Sequence, residues 1–266
     1  MKTIRRGGGR ACAAGVALLP WLAAAGVAIA AEPDYAALID MAGRQRMLSQ
    51  RTVKAYCQVG QSVTTDVSRR QLTGAVARFD RQLAELRRRV PGGEAEKAVA
   101  RLGSLWAPFR RIALGPPAVE GARRLAERDD AIAAAADALV AILQEAAGTS
   151  QARLVNLAGR QRMLSQRLAK LYMLRSWGID SEAMALAADS AADEFTGALE
   201  ILRAAPENTP AIEHELAAVA LQWEWFRTAL ALAGARSYRL VVADASESIL
   251  NSLELVTELY ATLGRR

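Results

Sequence analysis

Beyond residue 31, apolar residues recur at three- and four-residue spacing in stretches rich in Ala, Leu, Arg and Glu. That spacing and composition belong to amphipathic helices. Leu139-Val140-x-Ile142-Leu143 and Ile249-Leu250-x-x-Leu253-x-Leu255-Val256 read as stripes facing a bundle interior. No segment alternates with period two between turn signals, so no sheet is expected. Helix breakers fall at Gly60 to Asp66, Pro91-Gly92-Gly93, Gly115-Pro116-Pro117, Gly178 to Ser181, Pro206 to Pro210 and Gly234 to Ser237. They divide the chain into eight helix-length segments, four on each side of Gly148 to Gln151. The predicted fold is therefore all-α: two tandem antiparallel four-helix bundles, residues 31–147 and 148–266. Their join is either a bend or a nearly continuous helix. Pro108 is expected to kink the third helix.

The two halves are copies. Ala42-Gly43-Arg44-Gln45-Arg46-Met47-Leu48-Ser49-Gln50-Arg51 recurs unchanged 116 residues later as Ala158-Gly159-Arg160-Gln161-Arg162-Met163-Leu164-Ser165-Gln166-Arg167. The match fades into Leu38-Ile39-Asp40-Met41 against Leu154-Val155-Asn156-Leu157, and into Lys54 and Tyr56 against Lys170 and Tyr172. Trp106-x-x-Phe109-Arg110 echoes as Trp223-x-x-Phe226-Arg227, and these aromatics are expected to anchor the core of each third helix. Elsewhere the halves have diverged, so a constraint acts on the ten-residue block itself.

At 100° per residue, Leu38, Met41, Leu48, Thr52 and Tyr56 share one side of the helix, matched by Leu154, Leu157, Leu164, Leu168 and Tyr172. Opposite lie Gly43, Arg46, Met47, Gln50 and Lys54, matched by Gly159, Arg162, Met163, Gln166 and Lys170. A helical Gly costs about 1 kcal/mol relative to Ala, so one kept twice points to close approach by a helix or a ligand. Met47 and Met163 suit a helix contact. If the bundles meet through their first helices about a pseudo-twofold axis, Arg46 and Arg162 converge. Two guanidinium groups repel unless an anion lies between them, and each is a planar fork suited to a small oxyanion. The competing expectation is that these arginines serve as ion pairs inside a helix interface or lie on a solvated face. For Arg51 and Arg167, which lie round the helix, structural pairing is expected rather than ligand contact.

On this block the chain resembles the N-terminal sensory domain of type IV pilus methyl-accepting chemotaxis transducers (PilJ-like), related to the periplasmic domain of the nitrate/nitrite sensor kinases NarX and NarQ. The resemblance spans both repeats. It implies a ligand motif in which Gly43 and Gly159, Arg46 and Arg162, and Met47 and Met163 contact the anion, with Gln50, Arg51, Gln166 and Arg167 in support. The sensors carry one such domain per chain and clasp one anion between two subunits, whereas two copies here can build the site internally; a homodimer is also compatible. Arg44, Gln45, Leu48 and Gln50 follow the pilus-transducer version, whose ligand the resemblance does not specify.

The N-terminus reads as an export signal. Lys2, Arg5, Arg6 and Arg10 precede an apolar stretch from Ala11 to Val27, and Ala28-Ile29-Ala30 fits a cleavage site after residue 30. The alternative is an uncleaved N-terminal anchor. The expected location is periplasmic. The formal charge of +6 falls to +2 once the first 30 residues, with four basic and no acidic side chains, are removed. General polyanion binding is thereby unsupported, and nucleic acid is not an expected partner. One His, His214, and two cysteines, Cys12 and Cys57, rule out multi-His metal sites and a disulfide framework. His214 is expected to be exposed and Cys57 to be buried as a small apolar residue. No nucleophile–base pair or motif-placed carboxylate pair is present, so neither enzymatic activity nor a cofactor is expected. No transmitter helix or kinase domain follows the bundles, so signalling requires a membrane partner, a sensor kinase or a chemotaxis transducer. Two functions fit: a periplasmic sensory module for a small oxyanion, nitrate or nitrite foremost, or a ligand-free helical interaction protein docking to a transducer or envelope assembly.

Overall fold

The computed structural model describes residues 33–232 and 236–263. The expected export signal, its cleavage point and Cys12 lie outside the described residues, as do residues 233–235 in the last predicted break. The regular structure of the described residues is helical: α1 (Tyr35–Gly60), α2 (Thr65–Arg89), α3 (Glu94–Ala113), α4 (Val119–Ala147), α5 (Ser150–Ser176), α6 (Glu182–Arg203), α7 (Pro210–Leu230) and α8 (Arg239–Thr262). Every predicted break separates two helices. Pro108 lies inside α3, and a single 3-10 turn, Arg236–Tyr238, leads into α8.

Local chemistry sets the ends. Asp34, Thr149, Ser181 and Thr209 each accept a backbone N–H of the first turn they precede, those of Ala37, Ala152, Met184 and Ile212. Pro210 occupies the first turn of α7, where its missing N–H costs nothing. Gly148 closes α4 in the left-handed region at φ 62°, and Thr149 caps α5 immediately after it. The join between the halves is thus a capped break of two residues.

Helix α1 packs on α2 and α4, and α3 packs on both α2 and α4; α5 packs on α6 and α8, with α7 against both of those. The two groups meet chiefly along α1 and α5, and from Pro33 onward the chain is one compact unit. Helices α1 and α5 run side by side in the same direction. Gln61, just past the end of α1, donates to the Met173 carbonyl at 2.9 Å and accepts from Ser176 Oγ at 2.9 Å, both near the end of α5. This is the parallel arrangement that a twofold axis along the bundle requires.

Because α1 and α5 sit at the centre, they are buried on nearly every side. All residues from Ala42 to Gln50 are buried, as are Gln161 to Gln166. Tyr56 reaches the Pro116 carbonyl and Tyr172 lies beside residues of α6 and α7, each in its own bundle, while on the opposite side Lys54 meets α8 and Lys170 meets α4 of the other repeat. The third-helix aromatics anchor each bundle. Trp106 stacks on Phe79 at 3.6 Å between ring centres and Trp223 packs on Phe195 at 4.3 Å, with Phe109 and Phe226 beside them. Phe79 and Phe195 are themselves related by 116 residues, with Leu83 and Leu86 matching Leu199 and Leu202. His214 is exposed and Cys57 is buried without a disulfide; burial pushes the Cys57 thiol far above its ordinary range. No helix of the described residues is long and apolar enough to cross a membrane.

Candidate functional site

The repeated block lies on the seam between the two halves. In a helix, side chains lean toward the N-terminus, and Arg46 and Arg162 do so across the seam. Arg46 Nη2 donates to Asn156 Oδ1 at 3.1 Å, and Arg162 Nη2 donates to Asp40 Oδ1 at 2.7 Å. Asp40 and Asn156 are equivalent positions of the two copies, so each arginine bonds the other repeat's version of the same residue.

The duplicated glycines make room for these guanidinium groups. A Cβ on Gly43 would sit 2.9 Å from Arg46 Nη2, and one on Gly159 would sit 3.2 Å from Arg162 Nη2 and 3.5 Å from Arg46 Nη2. Both terminal nitrogens therefore lie against one point of α5, and the arginines converge. The close approach that the glycines allow is by guanidinium rather than by a neighbouring backbone.

The remaining block cations cross the seam as well. Arg44 reaches Glu254 of α8 at 2.9 Å as well as Asp40, and Arg160 reaches Asp137 of α4 at 3.5 Å as well as Glu194. Arg51 pairs with Glu247, and Arg167 with Asp130 at 3.4 Å. Lys54 donates to Ser246 Oγ at 3.1 Å and to Glu247 at 2.5 Å; Lys170 donates to Asp129 at 2.7 Å. A self-complementary interface uses one patch twice, so a change in either copy disturbs both sides of the seam. This is a physical reason for ten unchanged residues in otherwise diverged halves.

The symmetry is incomplete at one place. Arg46 Nη1 is paired with Asp137 at 2.6 Å. The corresponding Glu254 is occupied by Arg44 and Arg78. Nε and Nη1 of Arg162, a fully buried side chain, consequently have no hydrogen-bond partner among the described residues. One turn further along, both amide atoms of buried Gln50 and Oε1 of Gln166 are also unpartnered, although Gln166 Nε2 donates to the Ser246 carbonyl at 2.9 Å. Met47 and Met163 are buried in the apolar core around them. The α1–α5 seam thus gathers unpartnered buried polar atoms beside two arginines. A wider cavity of 490 Å³, lined by Arg111, Arg124 and Arg128 at the α3–α4 turn, does not reach Arg46 or Arg162.

Charge states follow from this geometry. Burial would raise the carboxyl of Asp40, but Arg162 and Arg44 outweigh it and hold the group below the usual carboxylate range. Glu247 is likewise held low against its burial by Lys54 and Arg51. Carboxylates depressed in the folded state stabilise it above their unfolded pKa of about 4, and that stability is lost as pH falls through the lower folded values. Unfolding temperature measured against pH is therefore expected to fall steeply below about pH 4, and Asp40→Asn is expected to lower the neutral plateau while making the acid limb shallower.

Neither Asp137 nor Asp40 stands out in the sequence as a partner of these arginines. The usable signal was the polar pair Asp40 and Asn156, six residues before each arginine, but only the pseudo-twofold reveals that the pairing is crossed. Among the described residues, no group of three or more His, Cys, Asp or Glu is placed to hold a metal ion.

The fold and the seam define a duplicated helical-bundle protein whose two central helices carry one arginine-bearing block in register. Comparison with protein families assigns both copies: residues 30–137 and 142–249 each match the family described as type IV pili methyl-accepting chemotaxis transducer N-term, PilJ. The chain belongs to this family, in two tandem copies. No curated protein and no solved structure shows a significant match to it.

Proposed function

We propose that the chain is a periplasmic sensory module that binds one small oxyanion, nitrate or nitrite foremost, on the α1–α5 seam and passes its occupancy to a membrane signalling partner. Membership of a chemotaxis-transducer sensory family supports the sensory role. The observation that carries the ligand is Arg162, fully buried with two unpartnered guanidinium nitrogens, converging with Arg46 on Gly159. Donors in such a place favour an acceptor that brings charge. Asp40 and Asp137 already supply counter-charge, so the anion competes with them. Occupancy loosens the crossed bonds between repeats and shifts α1 relative to α5, which is the change a partner reads.

Calorimetric titration with nitrate, nitrite, sulfate and chloride tests this. Nitrate or nitrite is expected to bind, Arg162→Met to abolish binding, and Asp40→Asn to strengthen it several-fold by removing the competitor. An absence of binding at millimolar concentration, or binding that survives Arg46→Met with Arg162→Met, would falsify the assignment. A second function, the ligand-free docking module, is favoured by one observation: every basic side chain of the block already engages the other repeat. It predicts no binding by any of the four anions.

A further inference from the structure

A cavity of 370 Å³ opens between α5, α6 and α7 in the second repeat. Its apolar wall includes Leu168, Leu171, Met184, Ala188, Ala192 and Leu230. The first repeat explains why it exists. The register that pairs Phe79, Leu83 and Leu86 of α2 with Phe195, Leu199 and Leu202 of α6 also pairs Leu72 with Ala188 and Val76 with Ala192. In the first repeat Leu72 and Val76 are buried and complete the core. In the second, both positions end at Cβ, while the phenylalanine and leucine anchors beyond them are kept. Large-to-small differences at core positions leave unfilled space at a cost in stability, and a site of about 300–1,000 Å³ with apolar walls suits a small organic molecule.

The rim decides the charge of that molecule. Arg175 is taken by Asp180 at 2.9 Å and Arg227 by Glu224 at 2.6 Å. Asp189, also on the rim, has no ion pair or hydrogen bond among the described residues. Among the described lining residues, Asp189 is therefore the charged side chain left without a counter-ion; Arg239, which acts on the lining residue Tyr172, is turned to Ser176, donating to its Oγ at 3.1 Å and its carbonyl at 2.6 Å. We propose that this cavity is a binding site for a small cationic amphiphile, a hydrocarbon body seated against Ala188 and Ala192 with a protonated amine at the Asp189 carboxylate. It is separate from the α1–α5 seam and does not depend on the anion site.

The test is calorimetric titration of the whole protein with hexylamine, hexanol and hexanoate. Hexylamine is expected to bind saturably and more tightly than hexanoate. Ala188→Leu combined with Ala192→Val, which installs the first repeat's own residues, is expected to abolish hexylamine binding and raise the unfolding temperature. Asp189→Asn is expected to weaken hexylamine by about fivefold, the worth of one exposed ion pair, and to leave hexanol unchanged. The proposal is overturned if hexylamine does not bind saturably, if the filled variant binds as the parent does, or if hexanoate binds as tightly as hexylamine.

Discussion

Asp129→Ala is expected to destabilise the protein by about 3–5 kcal/mol, the cost of leaving one member of a buried ion pair uncompensated. Asp129 and Lys170 are both buried and pair at 2.7 Å from α4 to α5, with Asp130 and Arg167 acting on the carboxylate more weakly than the lysine does. Losing the carboxylate strands an ammonium beneath the seam. The converse change should be milder. Burial pushes the Asp129 carboxyl up against the pull of Lys170, so with Lys170→Met the acid can take a proton and avoid a bare buried charge. Asp129→Leu combined with Lys170→Met removes both charges and is expected to be close to neutral or stabilising, since buried pairs repay their desolvation poorly. Urea unfolding of the three variants measures this. A loss below about 1 kcal/mol for Asp129→Ala, the size of an exposed pair, would mean that water reaches the lysine.

Trp223→Ala is expected to cost a similar amount, about 3–5 kcal/mol. The indole is almost fully buried, packs between Phe195 and Phe226, and donates Nε1–H to Thr196 Oγ1 at 3.2 Å. Its counterpart Trp106 donates to Asp80 at 2.7 Å, but Asp80 is also held by Arg110 at 2.8 Å and is partly exposed. The two ring clusters use equivalent positions but differ in geometry, stacked around Trp106 and tilted to edge-on around Trp223, and in the polar group behind them. Thermal unfolding of Trp223→Ala should show one transition at a lower temperature. Helix α5 belongs to the second bundle yet forms the longest contact with the first, so neither bundle keeps its buried seam if the other opens. Two separated transitions would show that the seam contributes less than each bundle's own core.

Much of this architecture is legible in the amino-acid sequence. Helix boundaries followed from glycine and proline clusters, and the caps at Asp34, Thr149, Ser181 and Thr209 are local chemistry that a few residues decide. The duplication was visible as identity, and the third-helix aromatics as an echo. The equivalence of Phe79 with Phe195 was present too, but one aromatic amid diverged neighbours is a weak signal until both are found packed against their tryptophans.

The amino-acid sequence alone determined an all-α chain, its eight segments, its twofold repetition and the block on which the halves agree. These depend on periodicity, turn chemistry and identity, all of which act over short stretches of chain. Tertiary structure decided what the block faces. Arg46 meets Asn156, 110 positions away, and Arg162 meets Asp40, 122 positions away; such contacts have no local signature because they arise only when α1 and α5 lie side by side in parallel. It also decided which of two identical arginines is fully paired. That difference rests on whether Asp137 or Glu254 remains available, a matter of neighbours on other helices and not of the arginines themselves.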